Sequence, residues 1–186
     1  MRTLSAIDRR ARERPIYHVR PDHPLAAALL AELAIEFSIR YGGTAGAIHR
    51  RMRDRPAADF TAPHGDLVVL MEHGEPVAGG GFRRFDATTA EPKRLWTARE
   101  QRRRGLATQV LAELEAGMAR LGYRRAFATV GDRQPEARGL YTAAGYAEVS
   151  EIGGRFRFEK ILENVVGRPP EFVPATVDIV PQSRPA

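Results

Sequence analysis

EQRRRGLATQVLAELEAGMARLG, from Glu100 to Gly122, decides the fold. Leu106, Val110, Leu114, Met118 and Leu121 recur at helical spacing as one apolar stripe, which Gly122 closes as a C-cap. Thr89 to Ala98 reads as a strand, so the order is strand, short polar turn, then an amphipathic helix from about Gly105. A helix start presents unpaired backbone N–H groups and a partial positive charge. Gly105 lets the backbone approach a ligand, Ala107 keeps the next turn clear, and Thr108 adds a hydroxyl. Arg102, Arg103 and Arg104 bring full charges to the same spot. The combination is a preformed site for a diphosphate. A helix start with solvated arginines would explain the charges but not Gly105, which costs a helix about 1 kcal/mol relative to Ala. Neither G-x-G-x-x-G nor G-x-x-x-x-G-K occurs, which excludes Rossmann and Walker loops.

Working outward, Arg125 to Val130 is a strand, Pro135 to Ala144 a short helix ended by Gly145, and Tyr146 to Val149 and Arg155 to Lys160 two last strands. Upstream, Pro15 to Arg20 alternates as a half-buried strand does. Asp22 then offers an N-cap to a helix with Pro24 in its first turn and Leu25, Leu29, Leu33 and Phe37 on one face. That helix stops near Gly42-Gly43, and residues 44 to 65 hold a short helix within a mobile connection. Leu67 to His73 and Val77 to Arg84 form a hairpin around Gly74-Glu75. Gly79-Gly80-Gly81 inside it marks a bulge or a close-packing site. Hairpins followed by alternating helices and strands predict one mixed α/β domain over 15–162. Residues 1–14 read as a flexible segment and 163–186 as a proline-containing tail.

Composition narrows the function. The 186 residues are 43% hydrophobic and 28% charged, as in ordinary globular domains. With no cysteine, disulfides, thiolate metal sites and cysteine nucleophiles are excluded, and no metal is expected. The longest apolar stretch, Leu25 to Phe37, is interrupted by Glu32 and Glu36, so no membrane span is expected. Without a secretory signal, the cytoplasm is the expected location. A charge of +6 raises nucleic acid as a partner, but the basic count is scattered arginine, with Lys93 and Lys160 the only lysines. No recognition helix or zinc-finger spacing accompanies it, so none is expected.

Arg102-Arg103-Arg104-Gly105-Leu106-Ala107 resembles the R/Q-x-x-G-x-G/A signature of the Gcn5-related N-acetyltransferases (GNAT). Leu140-Tyr141-Thr142-Ala143-Ala144-Gly145-Tyr146 is similar to that family's second hallmark, L-Y-x-x-x-G-F/Y, at the expected distance. The resemblance covers about Leu67 to Lys160. It implies a mostly antiparallel sheet of six to seven strands with a splayed central pair and helices on both faces. It further implies acetyl-CoA as donor, a primary amine of a small molecule or peptide as acceptor, and a monomer or homodimer. The strand carrying Leu95, Trp96 and Thr97 would pair with the pantetheine amides. Backbone N–H groups from Arg103 to Thr108 would hold the pyrophosphate, and Tyr141 would sit by the sulfur as a proton donor. Gln134 is the nearest equivalent of an Asn that touches the cofactor in many members. Glu91, eleven residues before Arg102, stands where several members place a base, and Pro92 beside it predicts a local irregularity in the ladder. An ordinary strand glutamate is the alternative for Glu91, and a core aromatic for Tyr141. Arg40, Tyr41, Phe82, Arg83 and Arg84 fall in the implied acceptor region. A non-catalytic acyl-CoA sensor of the same fold is the competing function.

Overall fold

A computed structural model describes residues 14–162. Of the expected flexible N-terminus only Arg14 falls within them, and the tail lies outside. Seven strands form one sheet: β1 (Ile16–His18), β2 (Asp66–Glu72), β3 (Glu75–Arg84), β4 (Thr89–Thr97), β5 (Arg125–Gly131), β6 (Ala147–Ile152) and β7 (Arg155–Ile161). Its order is β1-β2-β3-β4-β5-β7-β6. Every neighbouring pair is antiparallel except β4 and β5. Those two are parallel, meet only at Thr89↔Arg125 and Ala90↔Ala126, and then part. Beyond the fork, β4 stays on β3 as far as Thr97 and β5 stays on β7 as far as Gly131. The expected splayed pair is therefore present.

Helices cover both faces. On one, α1 (Pro24–Tyr41) buries Leu29, Leu30 and Leu33 with Leu67, Val69, Phe60 and Trp96. On the other, α3 (Leu106–Arg120) buries Val110, Leu114 and Met118 with Val68, Leu70, Phe82 and Phe158, joined by Tyr141 from α4 (Pro135–Ala143). The alternation within β2 sends successive residues to opposite cores, so the strand reads as a continuous apolar run. Each fully buried side chain of this size contributes about 1.5–3 kcal/mol relative to exposure.

The glycine run of β3 serves both expected purposes. A Cβ on Gly79 would collide with Leu29 and lie 2.7 Å from the Val68 carbonyl, and one on Gly81 would lie 2.9 Å from Phe60. Those two contacts lie on the α1 face, and on the other face a Cβ on Gly80 would lie 3.3 Å from both Val110 and Leu114 of α3, so the run lets both helical layers approach the sheet. Gly80 also faces a bulge: Gly79 pairs with Trp96 and Gly81 with Lys93, leaving Arg94 and Leu95 opposite one residue. The irregularity expected at Pro92 lies two residues further on, because Pro92 itself stays in register with Phe82.

Several local expectations change. His23, not Asp22, caps α1, its Nδ1 accepting from the Leu25 N–H at 3.2 Å. Residues 44–65 are more ordered than a connection: Thr44 caps α2 (Ala45–Arg53), and a 3-10 turn at Ala57–Phe60 buries Phe60. The hairpin turns at His73 and Gly74, both at positive φ, rather than at Gly74-Glu75. Leu121 is exposed and caps α3 instead of extending its stripe.

His18 ties the short edge strand to the rest. Its Nδ1 lies 2.6 Å from Asp66 Oδ2 on β2, and Nε2 lies 3.6 Å from Glu113 on α3, itself bonded to Arg120. The hydrogen bond to Asp66 raises the imidazole pKa, burial opposes it, and the charges of Asp66 and Glu113 raise it against Arg120. A raised folded-state pKa means stability that is complete below the ordinary histidine value and lost as pH climbs through the raised one. Thermal unfolding between about pH 5.5 and 8.5 should show this loss, and His18→Gln should flatten it. An unchanged slope in His18→Gln would remove His18 from the account.

Candidate active site

The turn between β4 and α3 starts from the fork. Gly105 (φ 77) is the N-cap of α3 and Arg103 (φ 61) is also left-handed, with Arg104 between them at negative φ. Alternating φ of this kind turns successive N–H groups toward one side, as in an anion-binding nest. Gly105 supplies no side-chain cap. Among the described residues, no N–H from Arg103 to Thr108 donates to a side-chain or loop acceptor. A Cβ on Gly105 would meet nothing within 4 Å, so φ rather than crowding within the protein requires glycine. The donors are free, clustered at a helix N-terminus and open to an anion.

The arginines divide. Arg102 donates to Glu36 at 2.7 Å and to the Thr97 carbonyl at 3.2 Å. Arg104 forks onto Glu72 at 2.8 and 3.0 Å and also bonds Gln101. Glu72 takes Arg14 as well, at 2.7 Å. Two of the three charges expected at the diphosphate are thus committed to shaping the turn. Arg103 is exposed and has no ion pair among the described residues. Leu106 is buried, so only its backbone faces the site, whereas Thr108 is exposed and Ala107 half-buried.

On β4 the side chains of Leu95 and Trp96 go to opposite cores, one beneath α3 and the other beneath α1. What this strand offers a ligand is the backbone edge that turns from β5 past Ala90. Thr97 still pairs with Ala78 on its other side. Gln134 caps α4 without a side-chain bond, its N–H donating to the Gly131 carbonyl. An ion-pair chain links this region to the turn: Arg102 to Glu36, Glu36 to Arg40 at 2.6 Å, and Arg40 to Glu136. Sequence reasoning missed Glu36 and Glu136, and no local spacing points to them.

Tyr141 is buried, its ring stacked on Phe158 at 5.8 Å and edge-on to Tyr146 at 5.0 Å. Burial first, then the charges of Glu91 and Glu115, push the phenol well above the ordinary tyrosine range. It therefore stays protonated at any physiological pH. Glu91 is 4% exposed and doubly engaged, Oε2 by Arg83 at 2.9 Å and Oε1 by Lys93 at 2.6 Å. Its carboxylate and the Tyr141 phenol are thus electrostatic neighbours, brought together from β4 and α4. Among the described residues, no group of three or more His, Asp or Glu side chains is placed to hold a metal, and no helix is long and apolar enough to cross a membrane.

A forked parallel pair beside an anion-ready helix start is the arrangement that the resemblance to the Gcn5-related N-acetyltransferases implies. The model of the acetyltransferase (GNAT) family matches residues 27–146, and the chain belongs to that family. Among solved structures, the fold is similar to the PaiA N-acetyltransferase of Thermoplasma acidophilum in complex with coenzyme A. That match has 16% identity and a TM-score of 0.66 over 80% of this chain and 99% of that one. An acetyltransferase from Thermus thermophilus matches at 23% identity and 0.63, over 82% and 99%. A GNAT acetyltransferase from Streptococcus pneumoniae matches at 15% and 0.62, over 81% and 100%. No curated protein sequence matches the chain.

Proposed function

We propose that the chain moves an acetyl group from acetyl-CoA to a primary amine of a small molecule or peptide, by direct attack in a ternary complex. The observation that carries this reading is the turn from Arg103 to Thr108, whose free N–H groups open beside the fork of β4 and β5. These residues fit a diphosphate by direction and charge, and the free edge of β4 from Leu95 to Thr97 fits the amides of a pantetheine arm. Gln134 would meet the same ligand from the start of α4. Bound there, the donor supplies an activated thioester carbonyl.

The residues of the chain then divide the proton work. Tyr141, kept neutral by burial and by Glu91, holds a hydrogen for a departing thiolate. A phenol raised so far above the thiol range acts by donating a hydrogen bond as much as by giving up the proton. Glu91 sits at the start of the fork, paired with Arg83 and Lys93. To take a proton from the amine it must release Lys93 or Arg83, or act through water. This reading is tested by mixing acetyl-CoA with a panel of amines and following free thiol. Thiol release that depends on both partners is expected. Coenzyme A binding without turnover on any amine would favour the sensor reading, and no binding would end both.

A further inference from the structure

The three arginines named for the expected acceptor region, Arg40, Arg83 and Arg84, are each engaged inside the protein. Arg40 is held by Glu36 and Glu136, Arg83 by Glu91, and Arg84 donates to the Tyr123 hydroxyl at 3.3 Å. Arg94 is different. It sits on the bulge of β4 at φ 59, a left-handed conformation that is unfavourable for a non-glycine residue. The bulge sends Leu95 beneath α3 and Arg94 to the opposite face, where its Nη2 donates to the Met52 carbonyl at 2.6 Å. Its guanidinium lies 3.9 Å over the Phe60 ring. Among the described residues no carboxylate comes within ion-pair distance of it.

The surroundings are cationic. Arg55 and Arg83 both act on Arg94 repulsively, and only Asp59 opposes them. Asp59 is itself shared between Arg55 at 3.8 Å and Arg83 at 4.0 Å. With Lys93 and Glu91 included, four cations face two carboxylates in this patch. Burial first, then Arg55, pulls the Arg94 pKa down to about 10. A half-buried cation without a counter-ion is unfavourable alone and becomes favourable when an anion arrives. The face concerned is the α1–α2 side of the strand that, in the reading above, carries the donor on its free edge.

We propose that Arg94, supported by Arg55, anchors an acid group of the acceptor, so that the acceptor is an amine bearing a carboxylate or a phosphate. The inference rests on the acetyltransferase reading and names its substrate class. A fork of donors on a rigid strand suits a planar or tetrahedral oxyanion, and the same patch repels polyamines and other cationic acceptors.

The test uses N-acetylglycine, N-acetylphosphoethanolamine and neutral N-acetylglycinamide as acetylated-product probes. Their binding to the full chain is measured by calorimetry, with and without coenzyme A. At least one acidic probe is expected to bind about tenfold or more tighter than the neutral one, and the better of the two identifies carboxylate or phosphate. Arg94→Met should abolish that preference, Arg94→Lys should restore part of it, and Arg55→Gln should weaken it. Arg55→Gln guards against misfolding, because Arg55 is half exposed and makes no hydrogen bond among the described side chains. Equal or tighter binding of the amide, no binding of any probe, or an acidic preference that survives both Arg94→Met and Arg55→Gln overturns the proposal. Failure of coenzyme A itself to bind is read separately and counts against the acetyltransferase reading instead.

Discussion

Tyr141→Phe is expected to lower kcat about a hundredfold while leaving coenzyme A affinity unchanged. The ring makes the packing contacts, stacking on Phe158 and meeting Tyr146 edge-on, and phenylalanine keeps both. What disappears is one hydroxyl, held neutral by burial and by the charges of Glu91 and Glu115. A donor that matters only when the thiolate departs stabilises the transition state and not the bound ground state, so KM should hold. Because the phenol pKa is raised, Tyr141 should add no limb to the kcat profile between about pH 6 and 9. Single-turnover measurements settle whether chemistry limits the rate. If it does and Tyr141→Phe turns over like the parent, the hydroxyl is a packing feature.

The parts legible in the sequence were those written in local spacing. The stripe Leu106, Val110, Leu114 and Met118 appears as a buried helix face because residues a turn apart must share one side. Gly105 was legible as a position that requires glycine, although its left-handed φ, rather than crowding within the protein, is the reason. What spacing did not carry was long-range pairing. Arg102 and Arg104 looked like free charges until the fold brought Glu36 and Glu72 to them from distant segments. Glu91 read as a candidate base or an ordinary strand glutamate, and neither reading showed that β3 brings Arg83 opposite it and closes a double ion pair with Lys93. The bulge at Arg94 had two visible traces, Pro92 two residues before it and the glycine run of β3, and the run left open whether it served a bulge, a packing need or both.

Gly105→Asp is the second large effect, and its strength lies in moving stability and binding in opposite directions. Aspartate tolerates a left-handed φ better than most residues, and the space beyond Gly105 is open, so the variant should fold. A negative charge at a helix N-terminus is favourable for the helix, so unliganded thermal stability should hold or rise. The same charge lies where the N–H groups from Arg103 to Thr108 would receive a diphosphate. Two unit charges about 4 Å apart at an effective dielectric near 20 repel by about 4 kcal/mol, so a loss of about a hundredfold or more in coenzyme A affinity is expected. Gly105→Asn has nearly the same shape and tolerance of φ without the charge, so it isolates steric from electrostatic effects. Titration calorimetry should place Asn near the parent and Asp far below it. Equal losses in both variants would mean that bulk alone matters. An unchanged affinity in Gly105→Asp would move the diphosphate away from this turn.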